Sequence, residues 1–187
     1  MWRATPSSKC TEEANLIKKG ILIIFSGLPA SGKTTLASKL ATHIGATYLR
    51  VDTIEASLRE GTEIPDLGIK CYRVAQFIAG ENLRLGNSVV GDSVNPVEAS
   101  RNGWNEVAKS VKSKFINIEV VCSNKEEHQA RLKTRTTTLA GLTDPTWKEV
   151  QEREYYPWNQ DRILIETSNK DVEMCFSEIL AALKEKT

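Results

Sequence analysis

The chain has 187 residues, of which 40% are hydrophobic and 26% charged, a composition typical of one globular domain with a hydrophobic core. Lysine and arginine number 25 against 24 acidic residues, and the resulting net charge of +1 gives no overall field that would attract nucleic acid or a membrane. The longest purely apolar run, Ile21 to Phe25, is far shorter than the roughly 18 to 20 residues that cross a bilayer. Since the first twenty residues lack the apolar block of a secretory signal, we expect a cytoplasmic protein.

The cysteines are too far apart to suggest a shared structural role. Cys10, Cys71, Cys122 and Cys175 are separated by about fifty residues or more, and none belongs to a C-x-x-C pair. Neither a disulfide framework nor a zinc site is indicated. We expect these side chains to behave as small buried hydrophobic groups.

Short apolar segments rich in valine and isoleucine alternate along the chain with longer amphipathic segments. We predict five strands buried on both faces, at Ile21 to Ser26, Thr47 to Val51, Ser88 to Gly91, Phe115 to Cys122 and Arg162 to Glu166. Such alternation of strand and helix predicts an α/β fold of three layers, with a five-stranded parallel sheet covered by helices on both faces. We expect one domain over residues 1–187, with ligands bound at the carboxyl ends of the strands.

The helices are predicted from apolar positions three and four residues apart. The last is the clearest, with one apolar stripe formed by Val172, Cys175, Phe176, Ile179, Leu180 and Leu183. A similar stripe after the first strand consists of Leu36, Leu40 and Ile44. A further helix is predicted from about Ile69 to Leu85, and Ser123 followed by Glu126 predicts a capping box that opens a helix after the fourth strand.

A glycine-rich segment between the first predicted strand and the first predicted helix has the spacing of a phosphate-binding loop. Its sequence, Gly27-Leu28-Pro29-Ala30-Ser31-Gly32-Lys33-Thr34, satisfies the pattern G-x-x-x-x-G-K-[ST]. Such a loop turns backbone N–H groups inward around an anion, which requires glycine where φ is positive or a side chain would collide. We expect Lys33 to contact the β- and γ-phosphates of ATP, Thr34 to bind Mg²⁺ and Thr35 to donate to the α-phosphate. The alternative is a glycine-rich turn that matches by chance.

Two other classes of protein with this loop are disfavoured. A GTP-binding switch needs N-K-x-D and D-x-x-G sequences, and neither occurs; Asn124-Lys125-Glu126-Glu127 matches a helix N-terminus instead. Motor-type ATPases carry further domains that we do not expect in 187 residues. A small kinase is the class that remains.

The chain resembles the small P-loop kinases, which include gluconate kinase, adenylylsulfate kinase, chloramphenicol phosphotransferase, the kinase domain of polynucleotide kinase and the zeta-type toxins. The resemblance covers about Gly20 to Thr167. It is carried by the G-L-P-A-S-G-K-T-T loop, Tyr48-Leu49-Arg50-Val51-Asp52, Val89-Val90-Gly91-Asp92 with Asn95, and Arg131 and Arg135 followed by Tyr155-Tyr156-Pro157-Trp158. It implies a P-loop NTPase fold with ATP and Mg²⁺ as cofactors.

Asp52 follows the second predicted strand, at the edge where an acceptor hydroxyl would meet the γ-phosphate. In the kinases that the chain resembles, an aspartate here orients or deprotonates that hydroxyl, so the resemblance implies a general base. The alternative is that Asp52 or Thr53 caps the next helix. Polynucleotide kinases have arginine three residues after this aspartate, whereas this chain has Glu55, which disfavours nucleic-acid ends as the acceptor.

Asp92 follows Val89 and Val90 as a Walker B acid would, and is expected to bind Mg²⁺ through a water molecule. Its alternative role is that of a turn residue at the end of the strand. The resemblance implies that Asn95 and Arg101 face the acceptor, or else are solvated surface groups. The expected acceptor contacts are Asp52, Arg73, Asn95 and Arg101.

Arg131 and Arg135 are four residues apart and therefore project from one face of a helix. In similar kinases this helix leads into a lid whose arginines close over ATP, so the resemblance implies that both are catalytic and that Arg131 contacts the nucleotide. The alternative is an exposed ladder of ion pairs with Glu127, which would contribute little. We expect the lid to comprise residues 131–158.

Within the expected lid, the segment from Thr136 to Pro145 is polar, small and glycine-containing, as is typical of a mobile flap. Asp144-Pro145 predicts a helix start, with aspartate as the N-cap and proline at the first helical position. Arg153 is a second candidate for the lid arginine.

These residues together predict a kinase that moves the γ-phosphate of ATP to a hydroxyl of a small polar acceptor, with no membrane partner. Two alternatives stay open: a regulatory module that binds ATP and hydrolyses it slowly, and a polynucleotide 5′-hydroxyl kinase. The sequence does not name the acceptor, since only a few side chains around the site would decide it.

Overall fold

The described residues of the computed structural model are 20–60, 67–136, 139 and 141–186. Their strands are β1 (Ile21–Ser26), β2 (Thr47–Arg50), β3 (Val89–Asp92), β4 (Lys114–Val121) and β5 (Ile163–Glu166). Their helices are α1 (Lys33–Ile44), α2 (Val51–Arg59), α3 (Gly68–Arg84), α4 (Glu98–Ser110), α5 (Lys125–Thr134), α6 (Trp147–Glu152) and α7 (Val172–Lys186). All pairings are parallel, in the order β2-β3-β1-β4-β5. The predicted five-stranded parallel sheet is confirmed.

The two faces of the sheet are covered by different helices, because successive side chains of a strand point to opposite faces. One face of β1 packs against α1 and α7, in a cluster that contains Ile23, Phe25, Leu36, Leu40, Phe176 and Ile179. The other face packs against α3 and α4, in a cluster that contains Leu22, Ile24, Cys71, Ala75, Ala79 and Trp104. Complete burial of one large apolar side chain contributes about 1.5–3 kcal/mol, so these two clusters provide most of the driving force for folding. Ile44, the last residue of the predicted α1 stripe, is 39% exposed instead.

The order of the strands creates a crevice at their carboxyl ends. The chain leaves β1 for α1 on one face of the sheet, whereas it leaves the neighbouring strand β3 for α4 on the other face. Helices that diverge in this way leave room between the two adjacent strands, which is where ligands bind in open α/β sheets. The residues that follow β1 and β3 therefore lie side by side at this crevice.

One predicted helix cap is wrong by one residue. Asn124, not Ser123, is the N-cap of α5, and its side chain accepts a hydrogen bond from the backbone N–H of Glu127 at 3.0 Å. The backbone N–H of Ser123 instead donates to Glu166, which ties the end of β4 to the end of β5. The pattern therefore predicted the correct helix, but the N-cap is one residue further along the chain than predicted.

No helix among the described residues combines the length and the apolar character needed to cross a membrane. Cys71, Cys122 and Cys175 are buried free thiols, in agreement with the prediction from their spacing. Cys10 lies outside the described residues.

Gly91 interrupts the apolar run of β3 because the ring of Trp104 occupies the adjacent space. A Cβ at position 91 would lie 3.2 Å from this ring. Trp104 is completely buried, and its Nε1–H donates to Asn95 at 3.2 Å, so the indole has little freedom to move aside. Glycine at this strand position is therefore a packing requirement.

We expect Gly91→Ala to lower the free energy of unfolding by about 1–2 kcal/mol, because the added methyl group overpacks the site against Trp104. Gly80→Ala is the matched control, since Gly80 lies inside α3 and a Cβ there would be 3.4 Å from Val107 of α4, an ordinary contact. Gly80→Ala should raise the stability by up to about 1 kcal/mol through its helix propensity. Urea denaturation measures both variants, and equal effects would contradict this explanation of Gly91.

Candidate functional site

The loop between β1 and α1 has the backbone of an anion cradle. Gly27, Ala30 and Gly32 have φ values of 148°, 64° and 95°. A Cβ on Gly27 would lie only 2.3 Å from the carbonyl oxygen of Val120, so only glycine fits there. Since α1 begins at Lys33, its first backbone N–H groups have no acceptor within the helix and face the loop.

Two side chains from distant parts of the chain hold the outside of this loop. Nε2 of His128 in α5 donates to the carbonyl oxygen of Pro29 at 2.7 Å. The Thr167 hydroxyl, which follows β5, lies 3.0 Å from the carbonyl oxygen of Ser31. Because both contacts are made to outward-facing carbonyls, the N–H groups remain directed toward the cradle. Neither residue belongs to a motif, and the sequence analysis assigned no role to either.

Lys33 and Asp92 meet where β1 and β3 end. Nζ of Lys33 lies 3.9 Å from Oδ1 of Asp92, and the two side chains are only 5% and 1% exposed. The other carboxylate oxygen accepts a hydrogen bond from the hydroxyl of Tyr48 at 2.7 Å. Oδ1 has no hydrogen-bond partner within the described residues, so it can still bind a ligand. Asp92 is the last residue of β3.

Tyr48 was not assigned a role from the sequence, although it lies in a segment that carries the resemblance. Burial raises the pKa of its hydroxyl, and the negative charge of Asp92 raises it further. Tyr48 therefore remains a protonated donor and holds the Asp92 carboxylate in one orientation.

Asp52 lies in the first turn of α2, and the residue at the N-cap position is Arg50, whose side chain makes no capping hydrogen bond. The alternative that Asp52 or Thr53 caps this helix is therefore wrong. Nη2 of Arg50 donates to Oδ2 of Asp52 at 3.2 Å, and the two side chains are 17% and 27% exposed. Arg50 also lies opposite Asp92 in the β2–β3 pairing, which brings both acidic residues to one edge of the sheet.

A cavity of about 610 Å³ opens beside the loop. Five basic residues line it, against the single acidic residue Asp171, and they are Lys33, Arg50, Arg131, Arg135 and Lys170. Its apolar wall is formed by Leu36, Val172 and Cys175. A volume in this range suits a small ligand or cofactor. The excess of basic groups matches a ligand with several negative charges, and the apolar wall matches a ligand with a flat uncharged part.

Arg131 is fixed at the base of this cavity rather than extended into solvent. Its guanidinium donates to the hydroxyl and to the carbonyl oxygen of Thr167, both at 2.8 Å, and it pairs with Glu127 at 2.6 Å. The same Thr167 contacts the loop, so Arg131 is coupled to the cradle through one residue. The predicted pair with Glu127 is present, but it orients an arginine of the cavity instead of belonging to an exposed ladder.

Arg135 is the C-cap that follows the last residue of α5, and its Nε lies 2.9 Å from Asp144. Helix α6 begins at Trp147, and its N-cap is Thr146, which forms a capping box with Glu149. Asp144 is therefore not the N-cap of α6, contrary to the prediction.

The segment before α6 lies against the helix that carries Asp52. Gly141 has a φ of 76°, and a Cβ at this position would lie 3.6 Å from both Ala56 and Arg59 of α2. Gly141, which belongs to the predicted lid, thus lies against α2.

Asn95 and Arg101 do not face an acceptor, which corrects the prediction for both. The Asn95 side chain is completely buried, donates to Ser26 at 2.8 Å and accepts from Trp104. Arg101 is 1% exposed and donates to the carbonyl oxygens of Asn95, Pro96, Tyr156 and Pro157, while its guanidinium lies 4.2 Å from the ring of Trp158. Both side chains are buried and hydrogen-bonded to the chain around the loop that follows β3, so neither is accessible to an acceptor.

The remaining predicted residues differ in how much of each side chain is accessible. Pro29 and Ser31 are buried within the loop, Thr34 is half-buried and Thr35 is exposed. Both threonines line the cavity, as expected for contacts with phosphate or metal. Arg73 is exposed on α3 and does not line the cavity, so the structure does not bring it to the other predicted residues.

The turn between β5 and α7, which forms part of the cavity wall, is ordered by Glu166. Burial disfavours the charged form of this carboxylate. Hydrogen bonds from the backbone N–H of Ser168 at 2.8 Å and of Ser123 at 3.2 Å outweigh burial and lower the pKa of Glu166 to about 2.

The parallel sheet and the glycine-rich cradle define a P-loop NTPase. The AAA_33 family, described as an AAA domain, matches residues 22–156, which is more than half of the chain, and the chain belongs to this family. The predicted membership of the small P-loop kinase group is confirmed.

Curated relatives and solved structures agree with this assignment. "Probable adenylyl-sulfate kinase" of Aeropyrum pernix is 25% identical, over 90% of this chain and 94% of its own length. A gluconokinase from Sinorhizobium meliloti 1021 has a TM-score of 0.62 at 17% identity and covers 90% of this chain and 93% of its own. The Mycobacterium tuberculosis APS kinase in complex with AMPPNP and APS has a TM-score of 0.60 at 15% identity, over 89% of this chain and 98% of its own. At such identities the two structures show a common fold.

We expect Glu166→Gln to weaken the pH dependence of stability. Because the pKa of Glu166 is lower in the folded protein than the ordinary value of 4.5, its ionised form stabilises the fold above about pH 4.5, and this contribution is lost as the pH falls toward 2. The difference between the free energies of unfolding at pH 6 and pH 3, measured in urea, should be smaller in the variant. Glu185→Gln, at the exposed end of α7, controls for the loss of one charge, and an equal effect of both variants would refute the role of Glu166.

Proposed function

We propose that this protein is a kinase that transfers the γ-phosphate of ATP to a hydroxyl group of a small polar acceptor. The observation that carries this proposal is the cradle of residues 27–34, with Lys33 buried 3.9 Å from Asp92 at one side of a basic cavity. Phosphoryl transfer requires positioning and charge stabilisation more than covalent chemistry, and this site offers both. The names of the curated relatives and of the similar structures support the same class of reaction.

The residues at the crevice fit a magnesium ion bound with the nucleotide. Asp92 presents a buried carboxylate oxygen without a hydrogen-bond partner among the described residues, and Thr34 follows Lys33, whose Nζ lies 3.9 Å from that oxygen. Carboxylate and hydroxyl oxygens are suitable donors for this ion, which keeps several water ligands. Magnesium bound here would neutralise charge on the β- and γ-phosphates. Tyr48 would keep Asp92 turned toward that position.

Asp52 is the proposed general base. Its carboxylate is partly accessible, on the same sheet edge as Asp92, and Arg50 holds one of its oxygens. The other oxygen is free to accept a hydrogen bond from an acceptor hydroxyl and to receive its proton during transfer.

Three arginines are proposed to stabilise the transferring phosphoryl group and the bound nucleotide. Arg131 and Arg135 approach the cavity from α5, and Arg50 approaches it from the end of β2. Arginine suits this role because its planar guanidinium binds phosphate oxygens in pairs. We further propose that residues 131–158 form a lid, since Gly141 already lies near α2 and a small movement would enclose the site.

Lys33→Met should abolish ATP-dependent phosphoryl transfer, because it removes the positive charge that contacts the β- and γ-phosphates and keeps the volume of the side chain. The product can be measured with radiolabelled ATP, and circular dichroism checks that the variant is folded. Thr42→Ala, in the same helix and remote from the cradle, is the control and should retain activity. Transfer at the wild-type rate by Lys33→Met would defeat the assignment of the loop.

Asp52→Asn should lower kcat by about 10² or more and leave the affinity for ATP unchanged, because a neutral amide cannot accept the proton. Glu55→Gln is a matched control on the next turn of α2, where the carboxylate pairs with Arg59 at 2.7 Å. We expect Glu55→Gln to retain wild-type kcat. If both variants lose kcat equally, the loss is due to the removal of a negative charge from α2 and not to the removal of a general base.

The acceptor is identified by measuring which compound accelerates ADP release. Adenylyl sulfate and gluconate are tested first, followed by other sugars, nucleosides and an oligonucleotide with a 5′-hydroxyl. Stimulation by one of the small molecules is expected, whereas slow ATP hydrolysis that none of them accelerates would favour a regulatory module. Transfer to the oligonucleotide that weakens with salt would favour a polynucleotide kinase.

A further inference from the structure

A second cavity, of about 410 Å³, lies away from the cradle, between α4, the first half of β4 and the residues that precede β5. It shares no lining residue with the first cavity. Phe115 and Asn117 of β4 lie opposite Leu22 and Ile24 of β1, whereas the cradle follows Ser26, the last residue of β1. The second cavity is therefore toward the opposite edge of the sheet and is independent of the proposed function.

The floor of this cavity includes a polar position on a central strand. Ile116 and Ile118 of β4 point into the core shared with α1 and α7, so Asn117 points to the other face. Asn117 is 3% exposed, and its Oδ1 has no hydrogen-bond partner within the described residues. A buried polar oxygen without a partner costs about 1–3 kcal/mol, so an unpaired asparagine on this strand needs an explanation.

A second unpartnered oxygen belongs to Asn105 of α4, which is 5% exposed and lines the same cavity. A chain of hydrogen bonds determines which of its side-chain atoms is free. The carboxylate of Glu98 can only accept, so Nδ2 of Asn102 donates to it, and Oδ1 of Asn102 accepts from Gln160. Oε1 of Gln160 then accepts from Nδ2 of Asn105 at 3.0 Å. Asn105 is thus left with an acceptor oxygen for the cavity.

The charges at the cavity indicate which hydrogen-bond donor would suit these oxygens. Its lining contains Lys109, Arg162 and Lys186, which pair with the carboxylates of Glu106, Glu119 and Asp161. Because each cation already has an anionic partner, the cavity has no large net charge, and neutral hydroxyl groups are suitable donors to the two oxygens. The pairs Lys109–Glu106 and Lys186–Asp161 are largely exposed, so their lysines can turn to a ligand anion at little cost.

We propose that this cavity binds a small hydroxylated anion, such as a sugar phosphate or a hydroxy acid. Hydroxyl groups of the ligand donate to Oδ1 of Asn105 and of Asn117, and its anionic group contacts Lys109, Arg162 and Lys186. The ligand thereby supplies the hydrogen bonds that the described residues do not provide.

Isothermal titration calorimetry of the full chain tests this proposal with three probes, glycerol 3-phosphate, ribose 5-phosphate and 6-phosphogluconate. We expect at least one probe to bind with a Kd below about 10 mM. Asn117→Leu, which keeps the branching of the side chain and removes the unpaired oxygen, should weaken this binding at least about tenfold. Lys33→Met, which alters only the first cavity, should leave the affinity unchanged.

A second variant separates recognition of the anion from recognition of the hydroxyl groups. Lys109→Gln/Lys186→Gln should weaken binding several-fold and reduce its dependence on ionic strength, since both lysines are on the surface. The melting temperature of unliganded Asn117→Leu should equal or exceed that of the wild type, because the oxygen that is removed has no hydrogen-bond partner among the described residues.

Four outcomes would overturn the proposal. They are the absence of binding by all three probes, binding that Lys33→Met abolishes and Asn117→Leu retains, equal affinity in all variants, and a strongly lowered melting temperature of unliganded Asn117→Leu. The first would leave the cavity filled by water alone. The second would place the probes in the nucleotide cavity, and the third would place them elsewhere. The fourth would show that the Asn117 oxygen already has a structural partner.

Discussion

The close approach of two backbones at Gly27 is the constraint on which the site depends. The position of a Cβ at residue 27 would be 2.3 Å from the carbonyl oxygen of Val120 at the end of β4. Because β1 and β4 are adjacent parallel strands, the chain can turn into the cradle here only without a side chain. The turn then directs the following N–H groups inward and starts α1 at Lys33. Because α1 begins at this point, Lys33 lies beside Asp92.

The distance between Lys33 and Asp92 is longer than that of a hydrogen-bonded ion pair. At 3.9 Å the two groups attract each other but do not form a short hydrogen bond, although both are almost completely buried. A buried ion pair with poor geometry does little for stability, because desolvation of the charges offsets their attraction. The hydrogen bond from Tyr48 prevents Asp92 from rotating to satisfy both of its oxygens. The pair is therefore arranged for a third group placed between or beside the charges, as phosphate and its metal ion would be.

The fold and the cradle could be predicted because their signals are local. Every strand except β2 contains a short apolar run with Val or Ile, and the spacing of Gly27, Gly32 and Lys33 describes one turn of backbone. The roles of Asn95 and Arg101 could not be predicted in this way. Arg101 donates to the carbonyl of Tyr156, which is 55 residues further along the chain, and no local pattern indicates that contact. Thr167 was overlooked for the same reason, since its contact with Ser31 spans 136 residues.

The contacts of Arg101 also connect the second cavity with the segment proposed as the lid. Its guanidinium lies 4.2 Å from the ring of Trp158, and the guanidinium of Arg162 lies 5.7 Å from the same ring. Trp158 ends the segment proposed as the lid, and Arg162 lines the second cavity and pairs with Glu119 of β4. A ligand that draws Arg162 toward an anion would change the packing around Trp158. Arg101 donates to the carbonyl oxygens of Tyr156 and Pro157, the two residues before Trp158. A change in the packing around Trp158 would therefore be transmitted to the end of the proposed lid that Arg101 holds.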